Sequence, residues 1–417
     1  MSRFSTLFAD NGPLAALAHP NYRLFYSGQC ISLIGTWIQR ASQAWLVLIL
    51  TDSPFLLGLV GAMQFVPVLI LSLLAGVVID RLPKRRVIVV TQVALSMQAF
   101  ALSALVYTGR VEYWHVLALA MLQGVCTAFD NPARQSFVVE LVGRKHLMNA
   151  VSLNSAIFNG ARIIGPALGG LTMDMFGPAL AFFVNGVSYI FVVVALLAMK
   201  MPPFPSNTQA KRQLWPEILE GLRYARQTPV IKSTLLLVGA IGVFSLNFSI
   251  LVPVLARDVL KQQATGYGVL MSFMGGGAVL GALTMALFSH RGPQTQIMFA
   301  GAVGLTVLQI GMSFSMPYLA VGVLLFFAGW AQITYSATAN STLQVNTPNH
   351  LRGRVMSLYS LLHGGTAPFG NLFAGGVSGA FGALGGFLAC GATGLLAALL
   401  VLAGARRAGA EQHERLT

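Results

Sequence analysis

The fold of this chain is decided around the stretch Gly76-Val77-Val78-Ile79-Asp80-Arg81-Leu82-Pro83-Lys84-Arg85-Arg86. This stretch is a short, strongly basic turn between an apolar run over residues 54–79 and a second apolar run over 87–109. Each run exceeds the roughly 20 residues that an α-helix needs to cross a bilayer. The stretch therefore predicts two membrane-spanning helices joined by a basic turn.

The same alternation of apolar run and short polar turn continues along the whole chain. Of its 417 residues, 55% are hydrophobic and 9% are charged, and the mean hydropathy is +0.71. In soluble proteins about 25% of residues are charged. Twelve apolar runs can be distinguished: 22–50, 54–79, 87–109, 113–138, 147–173, 179–199, 232–256, 265–289, 297–315, 318–345, 355–381 and 384–404. We predict an all-α membrane protein with twelve transmembrane helices.

The distribution of charge orients the predicted helices. The chain carries 26 Lys and Arg against 12 Asp and Glu, a net charge of +14. If the N-terminus is cytoplasmic, most of these basic residues fall on cytoplasmic turns and helix ends, as the positive-inside rule requires. We expect a multi-pass protein of the bacterial inner membrane with both termini cytoplasmic. Nucleic acid is not an expected partner, because the basic residues are not interleaved with base-stacking aromatics.

The one long interior loop divides the chain into two similar halves. For example, Phe176-Gly177 recurs 205 residues later as Phe381-Gly382. Two pseudo-symmetric six-helix bundles of this kind place a substrate site between them, near the bilayer midplane. The predicted domains are an N-terminal bundle over 1–199, a cytoplasmic linker with an amphipathic helix over 200–232, and a C-terminal bundle with a short cytoplasmic tail over 233–417.

The 76–86 turn carries the pattern G-x-x-x-D-R-x-P-K-R-R. Asp80 lies at the predicted membrane edge, where a carboxylate can cap a helix N-terminus or pair with a basic residue. Because the availability of the helix N-terminus and of the basic residue depends on the conformation of the protein, we interpret the turn as a conformational latch. The alternative is an ordinary positive-inside turn. The latch residues are Gly76, Asp80, Arg81, Lys84, Arg85 and Arg86. The pattern resembles the loop between helices two and three of the major facilitator superfamily, with Pro83 replacing the usual glycine.

A second motif, G-P-x-x-G-G, lies in the fifth apolar run. Small residues let helices approach closely and proline bends a helix, so a tightly packed interface is one interpretation. The motif is also similar to the antiporter motif of the same superfamily, a resemblance that implies export rather than import. Its residues are Gly165, Pro166, Gly169 and Gly170. Two longer stretches, 128–135 and 347–359, resemble the branch that contains the enterobactin exporter and macrolide-efflux proteins.

Polar side chains inside the apolar runs indicate a substrate cavity, because burying them in lipid is costly. Their spacing of three or four residues places them on common helix faces. For any single amide or hydroxyl, a helix-packing role is the alternative. The candidate cavity residues are Gln39, Arg40, Gln43, Gln123, Asn159, Arg162, Gln332, Tyr335, Asn340 and Tyr359.

Proton coupling requires a group that changes charge. Asp130 is the only acidic residue well inside an apolar run and is therefore the first candidate. His363 is the second, because an unperturbed imidazole has a pKa near neutrality. The alternative for Asp130 is a structural ion pair with Arg134, one helical turn away.

These features predict a secondary exporter that works by alternating access and proton antiport. Arg40 and Arg162 make the midplane net basic, which favours a siderophore-like anion as cargo; multidrug or macrolide efflux is the alternative. An intramembrane enzyme is less favoured because the histidines are scattered, and a channel would not need paired halves. The expected partners are a small-molecule substrate, protons and the lipid bilayer. We expect a monomer without cofactor or metal.

Overall fold

The computed structural model describes residues 12, 14–201, 214–288 and 292–414, and these residues are almost wholly helical, with no β-strand among them. The helices in chain order are α1 (Pro20–Thr51), α2 (Pro54–Arg81), α3 (Lys84–Tyr107), α4 (Tyr113–Phe176), α5 (Pro178–Ala198), α6 (Leu214–Gln227), α7 (Pro229–Phe244), α8 (Phe248–Val254), α9 (Ala264–Leu287), α10 (Thr295–Gly311), α11 (Tyr318–Val345), α12 (Asn349–Gly365) and α13 (Ala367–Glu414).

Two of these helices each contain two membrane segments joined at a glycine. Gly143 in α4 has φ 67° and ψ 176°, and Gly382 in α13 has φ 73° and ψ 179°. Glycine reaches positive φ without the steric cost that a Cβ imposes. We call the two parts of α4 α4a (113–142) and α4b (144–176). With these two breaks the described chain forms the twelve membrane segments of the predicted all-α fold, which is confirmed.

The polar residues are concentrated in particular helices. Seven stretches of the described chain are long and apolar enough to cross a membrane by length and composition, and the most apolar is Pro178–Ala198. Neither α1 nor α4 is among the seven. Glutamine, arginine and aspartate side chains interrupt the apolar surface of these two helices, which contain six of the predicted cavity residues.

Two segments that the sequence predicts to be continuous are broken. The seventh segment divides between α7 and α8, where Asn247 Nδ2 donates to Val243 O at 2.8 Å and competes with main-chain bonding. A π-helical turn, Leu255–Val259, then follows α8. The eleventh segment divides between α12 and α13, since Pro368 has no amide to bond the carbonyl one turn earlier.

The predicted amphipathic helix of the linker is present as α6. Residues 202–213, which precede it, lie outside the described residues. Glu220 Oε2 is 2.5 Å from Arg354 Nη1, and Tyr224 OH donates to Asn346 O at 3.3 Å. These contacts hold α6 against the end of α11 and the start of α12.

Backbone packing groups the chain into two compact units. Unit 1 comprises Met1–Leu50, Val66–Gln209 and Gln263–Ser272; unit 2 comprises Thr51–Phe65, Ala210–Gln262 and Phe273–Thr417. The core of unit 1 includes Tyr22, Phe25 and Phe137, and that of unit 2 includes Ile231 and Val355. Helices α2 and α9 each contribute residues to both units. The predicted domain boundaries at 199 and 233 remain a prediction.

Candidate transport site and conformational contacts

Asp130 lies on α4a and is 7% exposed. Its Oδ1 accepts hydrogen bonds from Thr91 Oγ1 at 2.7 Å and from Gln92 Nε2 at 3.2 Å, both on α3. Its Oδ2 is ion-paired with Arg134 Nε on the same helix. The structural ion pair considered as an alternative for Asp130 is therefore present, and the carboxylate joins α3 to α4a.

Arg134 extends this junction to α1. Its guanidinium carbon lies 5.8 Å from the centroid of the Phe25 ring, and its side chain is 13% exposed. Arg134 and Asp130 thus form a neutral pair in a buried environment. Removing either partner would leave the other as an uncompensated buried charge, which is far more costly than replacing both.

Gln39 lies in a buried hydrogen-bond network within unit 1. Its Nε2 donates to Gln98 Oε1 at 3.1 Å, and its Oε1 accepts from Asn185 Nδ2 at 2.6 Å. Ser188 Oγ donates to Asn185 Oδ1 at 2.9 Å. Gln39 was expected to line the cavity, but both ends of its amide are used to pack α1 against α3 and α5. The helix-packing alternative describes this residue.

Arg40 has a very different environment although it follows Gln39 directly. Its side chain is exposed, and its guanidinium carbon lies 5.1 Å from the centroid of the Trp37 ring. Trp37 meets Phe158 of α4b edge to face, with ring centroids 5.8 Å apart and an interplanar angle of 67°. Among the described residues no carboxylate lies in ion-pair range of Arg40.

The other unit 1 candidates differ in exposure. Gln43 and Gln123 are 6% and 4% exposed, so in this conformation they are buried rather than lining an open surface. Gln123 Oε1 has no hydrogen-bond partner among the described residues. Asn159 Nδ2 donates to the main-chain carbonyl of Ser155 at 2.8 Å. Arg162 is half-buried.

In unit 2 the structure brings together three of the predicted site residues. Tyr359 and His363 stack on α12 with ring centroids 5.5 Å apart and an interplanar angle of 15°. Asn340 of α11 lies close to Tyr359, and its Oδ1 accepts from Gln344 Nε2 at 2.5 Å. His363 is exposed. This cluster therefore joins a titratable ring to polar groups on two helices.

Two further unit 2 candidates lie on α11. Gln332 is half-buried. Tyr335 is completely buried, and its Cβ lies beside Gly301 of α10. We expected Tyr335 to line the cavity; in the structure it packs between helices, because Gly301 leaves space for it. Its hydroxyl has no hydrogen-bond partner among the described residues.

The C-terminal half of the 76–86 turn contacts neighbouring helices through Lys84 and Arg85. Lys84 Nζ is 3.0 Å from Glu140 Oε1 of α4a, and Arg85 Nη2 donates to Leu197 O of α5 at 3.1 Å. Arg81 and Arg86 are exposed, and the Asp80 side chain lies outside what the structure describes. Gly76 is not in a close helix contact, since a Cβ built there meets no described atom within 4 Å.

The G-P-x-x-G-G motif forms one helix contact with α1. A Cβ built on Gly165 would overlap the Cβ of Trp37, and a Cβ on Gly169 would lie 3.0 Å from Ile38 O. Gly165, Pro166 and Gly169 are buried. The tightly packed interface, one of the two interpretations of this motif, is therefore observed.

The same motif forms a second contact within unit 1, with the first turns of α9. A Cβ built on Gly170 would overlap Ala264 O. Asp174, one turn further along α4b, accepts hydrogen bonds from the backbone amides of Ala264 at 3.2 Å and Thr265 at 2.8 Å. Ser272 Oγ donates to Ile163 O at 2.5 Å. The Asp174 contact was not predicted, because a carboxylate that bonds main-chain amides has no partner visible in the sequence.

A charged cluster in unit 2 was also missed. Arg257 Nη2 is 2.5 Å from Asp52 Oδ1, and Arg257 Nε is 2.6 Å from Asp258 Oδ1. Asp52 has φ 49°, a left-handed conformation in the turn between α1 and α2. The two acidic residues are 206 positions apart, so only the fold brings them to one arginine.

The profile of a family described as transmembrane secretion effectors matches residues 11–415. The chain belongs to this family of the major facilitator superfamily. The resemblance drawn from the 76–86 turn and the G-P-x-x-G-G motif is thus confirmed. The chain is a multi-pass membrane transporter of exporter type and not an enzyme.

Named relatives cover most of the chain. It is 29% identical to the multidrug efflux pump Tap of Mycolicibacterium fortuitum over 85% of this chain and 88% of Tap. It is 24% identical to the staphyloferrin A transporter of Staphylococcus aureus, over 84% of this chain and 87% of that protein. It is also 24% identical to the enterobactin exporter EntS of Shigella boydii, over 82% of this chain and 81% of EntS.

The fold is also shared with solved transporters. The crystal structure of the nucleoside transporter NupG superposes with a TM-score of 0.73, covering 92% of this chain and 98% of NupG. The two sequences are only 12% identical. This likeness therefore supports the architecture alone.

Proposed function

We propose that this chain is a secondary exporter that moves a small amphipathic anion of siderophore type out of the cytoplasm in exchange for protons. The observation that carries the proposal is the exposed guanidinium of Arg40, which lies inside a predicted membrane segment and has no carboxylate partner among the described residues. An arginine at membrane depth needs compensation from water or an anion. An anionic cargo supplies it. The siderophore names of two relatives support this choice.

Multidrug or macrolide efflux is the second candidate. It is supported by the relationship to Tap, which at 29% identity exceeds the 24% of the two siderophore transporters. The Trp37 ring beside Arg40, and the Phe158 ring that contacts Trp37, also suit an apolar drug. The two candidates differ in the charge of the cargo, so they can be separated by transport assays.

We place the coupling proton on Asp130. Protonation removes the negative charge that holds Arg134, and this loosens contacts among α1, α3 and α4a together. His363 is the second candidate, since it is exposed and stacked on Tyr359. Either group would titrate as the transporter alternates access to the two sides of the membrane.

Transport into inverted membrane vesicles tests this proposal. We expect a catecholate siderophore to accumulate when respiration acidifies the vesicle interior, and accumulation to stop when an uncoupler collapses the gradient. In the fraction of Asp130→Asn protein that is folded and monodisperse, accumulation should be abolished but exchange of labelled for unlabelled cargo retained; His363→Gln is the matched variant. If Asp130→Asn still accumulates cargo with an unchanged pH profile, the proton belongs to His363. If the wild type moves only neutral or cationic drugs, the siderophore proposal is wrong.

The proposed orientation places both termini in the cytoplasm of a bacterial cell, in a monomer that works alone in the inner membrane. Cysteines introduced at Arg110 and Gln262 should react with an impermeant reagent outside whole cells, whereas one at Arg85 should not. Labelling at Arg85 from outside would reverse the topology. Sedimentation of the purified, functional protein checks the monomer.

We also propose the latch role for the 76–86 turn. Lys84 and Arg85 already anchor the turn to α4a and α5. Asp80→Asn should slow transport strongly in well-expressed protein, because it removes a state-dependent contact of about 1–3 kcal/mol. A wild-type transport rate in this variant would leave the turn with a topological role only.

A further inference from the structure

Helices α1 and α4b lie side by side in unit 1, and residues at a constant sequence offset lie at the same height along the two helices. Tyr22 OH of α1 donates to Ala150 O of α4b at 3.0 Å, and further along Trp37 lies against Gly165. Both contacts join residues 128 positions apart. The two helices are therefore parallel, and a residue on one can be placed against the other by this offset.

By this offset Phe158 is level with Cys30 of α1, about two turns before Trp37, and Arg40 follows Trp37 by about one turn. Side chains on a helix lean towards its N-terminus, so Arg40 leans over Trp37 and the Trp37 ring leans towards Phe158. The measured ring contacts agree with this placement. We call Trp37, Arg40 and Phe158 the aromatic shelf.

The aromatic shelf is open as well as cationic. Phe158 is 42% exposed, Arg40 is exposed, and Trp37 is half-buried. The exposed part of Phe158 offers a ring to a ligand, since its contact with Trp37 is edge to face and does not cover it completely. The Arg40 guanidinium lies 5.1 Å from the centroid of the Trp37 ring, within the range at which a cation is attracted to a ring face.

A planar anion with an aromatic ring would use both the positive charge and the exposed rings of the aromatic shelf. A guanidinium holds two adjacent oxygens through paired hydrogen bonds, which the point charge of a lysine reproduces poorly. An aromatic ring on the same ligand would pack against Phe158 or Trp37 in the offset or edge-to-face geometry that such rings prefer. An aliphatic carboxylate would use the guanidinium and leave both rings exposed.

We infer that the aromatic shelf binds an aryl ring that carries adjacent oxygen atoms, as in a catecholate or salicylate group of the cargo. This inference rests on the proposed export function and narrows its substrate class. It adds Trp37 and Phe158 to the site as residues that select aryl over aliphatic anions. Arg40 supplies the charge recognition that both kinds of anion share.

Calorimetric binding to the purified full-length protein tests the inference, with 2,3-dihydroxybenzoate and citrate as probes. Trp37→Leu and Phe158→Leu should each weaken dihydroxybenzoate binding by about tenfold, the scale of a lost aromatic contact, and leave citrate binding within about twofold. Trp37→Phe keeps a ring and should retain the preference. Trp114→Leu is the matched control, because Trp114 is 58% exposed at the distant start of α4.

The outcomes separate the inference from the proposed function. Equal losses for both probes, or no loss in folded Trp37→Leu and Phe158→Leu protein, would overturn the aryl selectivity. Proton-driven export of a siderophore would survive that result. If Trp37→Leu does not fold, Phe158→Leu and Trp37→Phe decide the question. Failure of the wild type to export any anion, with dihydroxybenzoate still bound at the aromatic shelf, would instead reject the proposed function.

Discussion

Two arginines of unit 1 lie against aromatic rings but differ in how their charge is balanced. Arg134 lies 5.8 Å from the Phe25 ring and is ion-paired with Asp130, which Thr91 and Gln92 also bond. Arg40 lies 5.1 Å from the Trp37 ring, is exposed, and has no carboxylate in ion-pair range among the described residues. A ring contact alone therefore does not reveal what an intramembrane arginine does.

The two arginines differ in whether the protein supplies a counter-charge. The buried Arg134 has its charge neutralised within the protein, so its contacts define how α1, α3 and α4a pack. The exposed Arg40 has a ring but no anion, so its guanidinium is available to a ligand. Substitutions of Arg134 should lower the stability of the fold, and substitutions of Arg40 should weaken ligand binding.

The largest effect is expected for Arg134→Ala. It leaves the Asp130 carboxylate buried without its cation, which costs about 3–5 kcal/mol of folding free energy. Denaturant titration of purified protein in detergent would measure the loss. Arg40→Ala is the control and should unfold near the wild-type midpoint. Equal stability of the two variants would remove the distinction between the two arginines.

Removing both charges at the buried site should recover much of that loss. Asp130→Leu combined with Arg134→Met replaces the pair by apolar side chains, which is often close to neutral for stability. Recovery should be incomplete because Gln92 loses its acceptor, at about 1–3 kcal/mol for an unsatisfied donor. The Thr91 hydroxyl retains Ile88 O as an acceptor, at 2.9 Å. The same titration checks this. A double variant no more stable than Arg134→Ala would mean that charge balance is not what the pair provides.

A smaller effect is expected at the exposed arginine, and on affinity rather than folding. Arg40→Ala should weaken dihydroxybenzoate binding by about 10- to 100-fold, the scale of one charge-assisted bidentate contact, and Arg40→Lys should lie between it and wild type. Calorimetry on monodisperse protein measures both, with Arg110→Ala as the control. Unchanged affinity in Arg40→Ala would favour a neutral drug as cargo.

The smallest effect is expected for Thr91→Val, which removes one neutral donor from Asp130 and should cost about 1–2 kcal/mol. Ser96→Ala is matched to it, since Ser96 Oγ on the same helix donates to Gly186 O at 2.9 Å and does not contact Asp130. Both variants should lose similar stability, but only Thr91→Val should shift the pH profile of vesicle uptake. A shift of equal size in Ser96→Ala would show that general loosening of α3 is responsible.

Much of the fold follows from apolar length and from glycine and proline. The basic 76–86 turn, the breaks at Gly143 and Gly382, and the linker helix α6 all lie where the sequence predicts them. The sequence does not predict the break before Asn247. An asparagine that hydrogen-bonds its own helix cannot be told in sequence from one that faces a neighbouring helix.

The candidate site is less accessible to sequence reasoning. Helical spacing placed Gln39 and Arg40 together in the cavity, but neighbouring residues lie about 100° apart around a helix axis. Gln39 faces α3 and α5, whereas the Arg40 side chain is exposed. The ring contacts of Trp37 were missed for a similar reason, since the partner Phe158 is 121 positions away and nothing local signals it.

The contact of Asp174 with α9 limits which substitutions evolution can make in this protein. Its two hydrogen-bond partners on α9 are backbone amides, at Ala264 and Thr265, rather than side chains. Any residue except proline presents the same amide, so this contact alone does not determine which residues stand at 264 and 265. Homologous sequences should therefore keep an acidic residue at position 174 with no co-varying partner, and methods that infer contacts from paired substitutions will overlook this one.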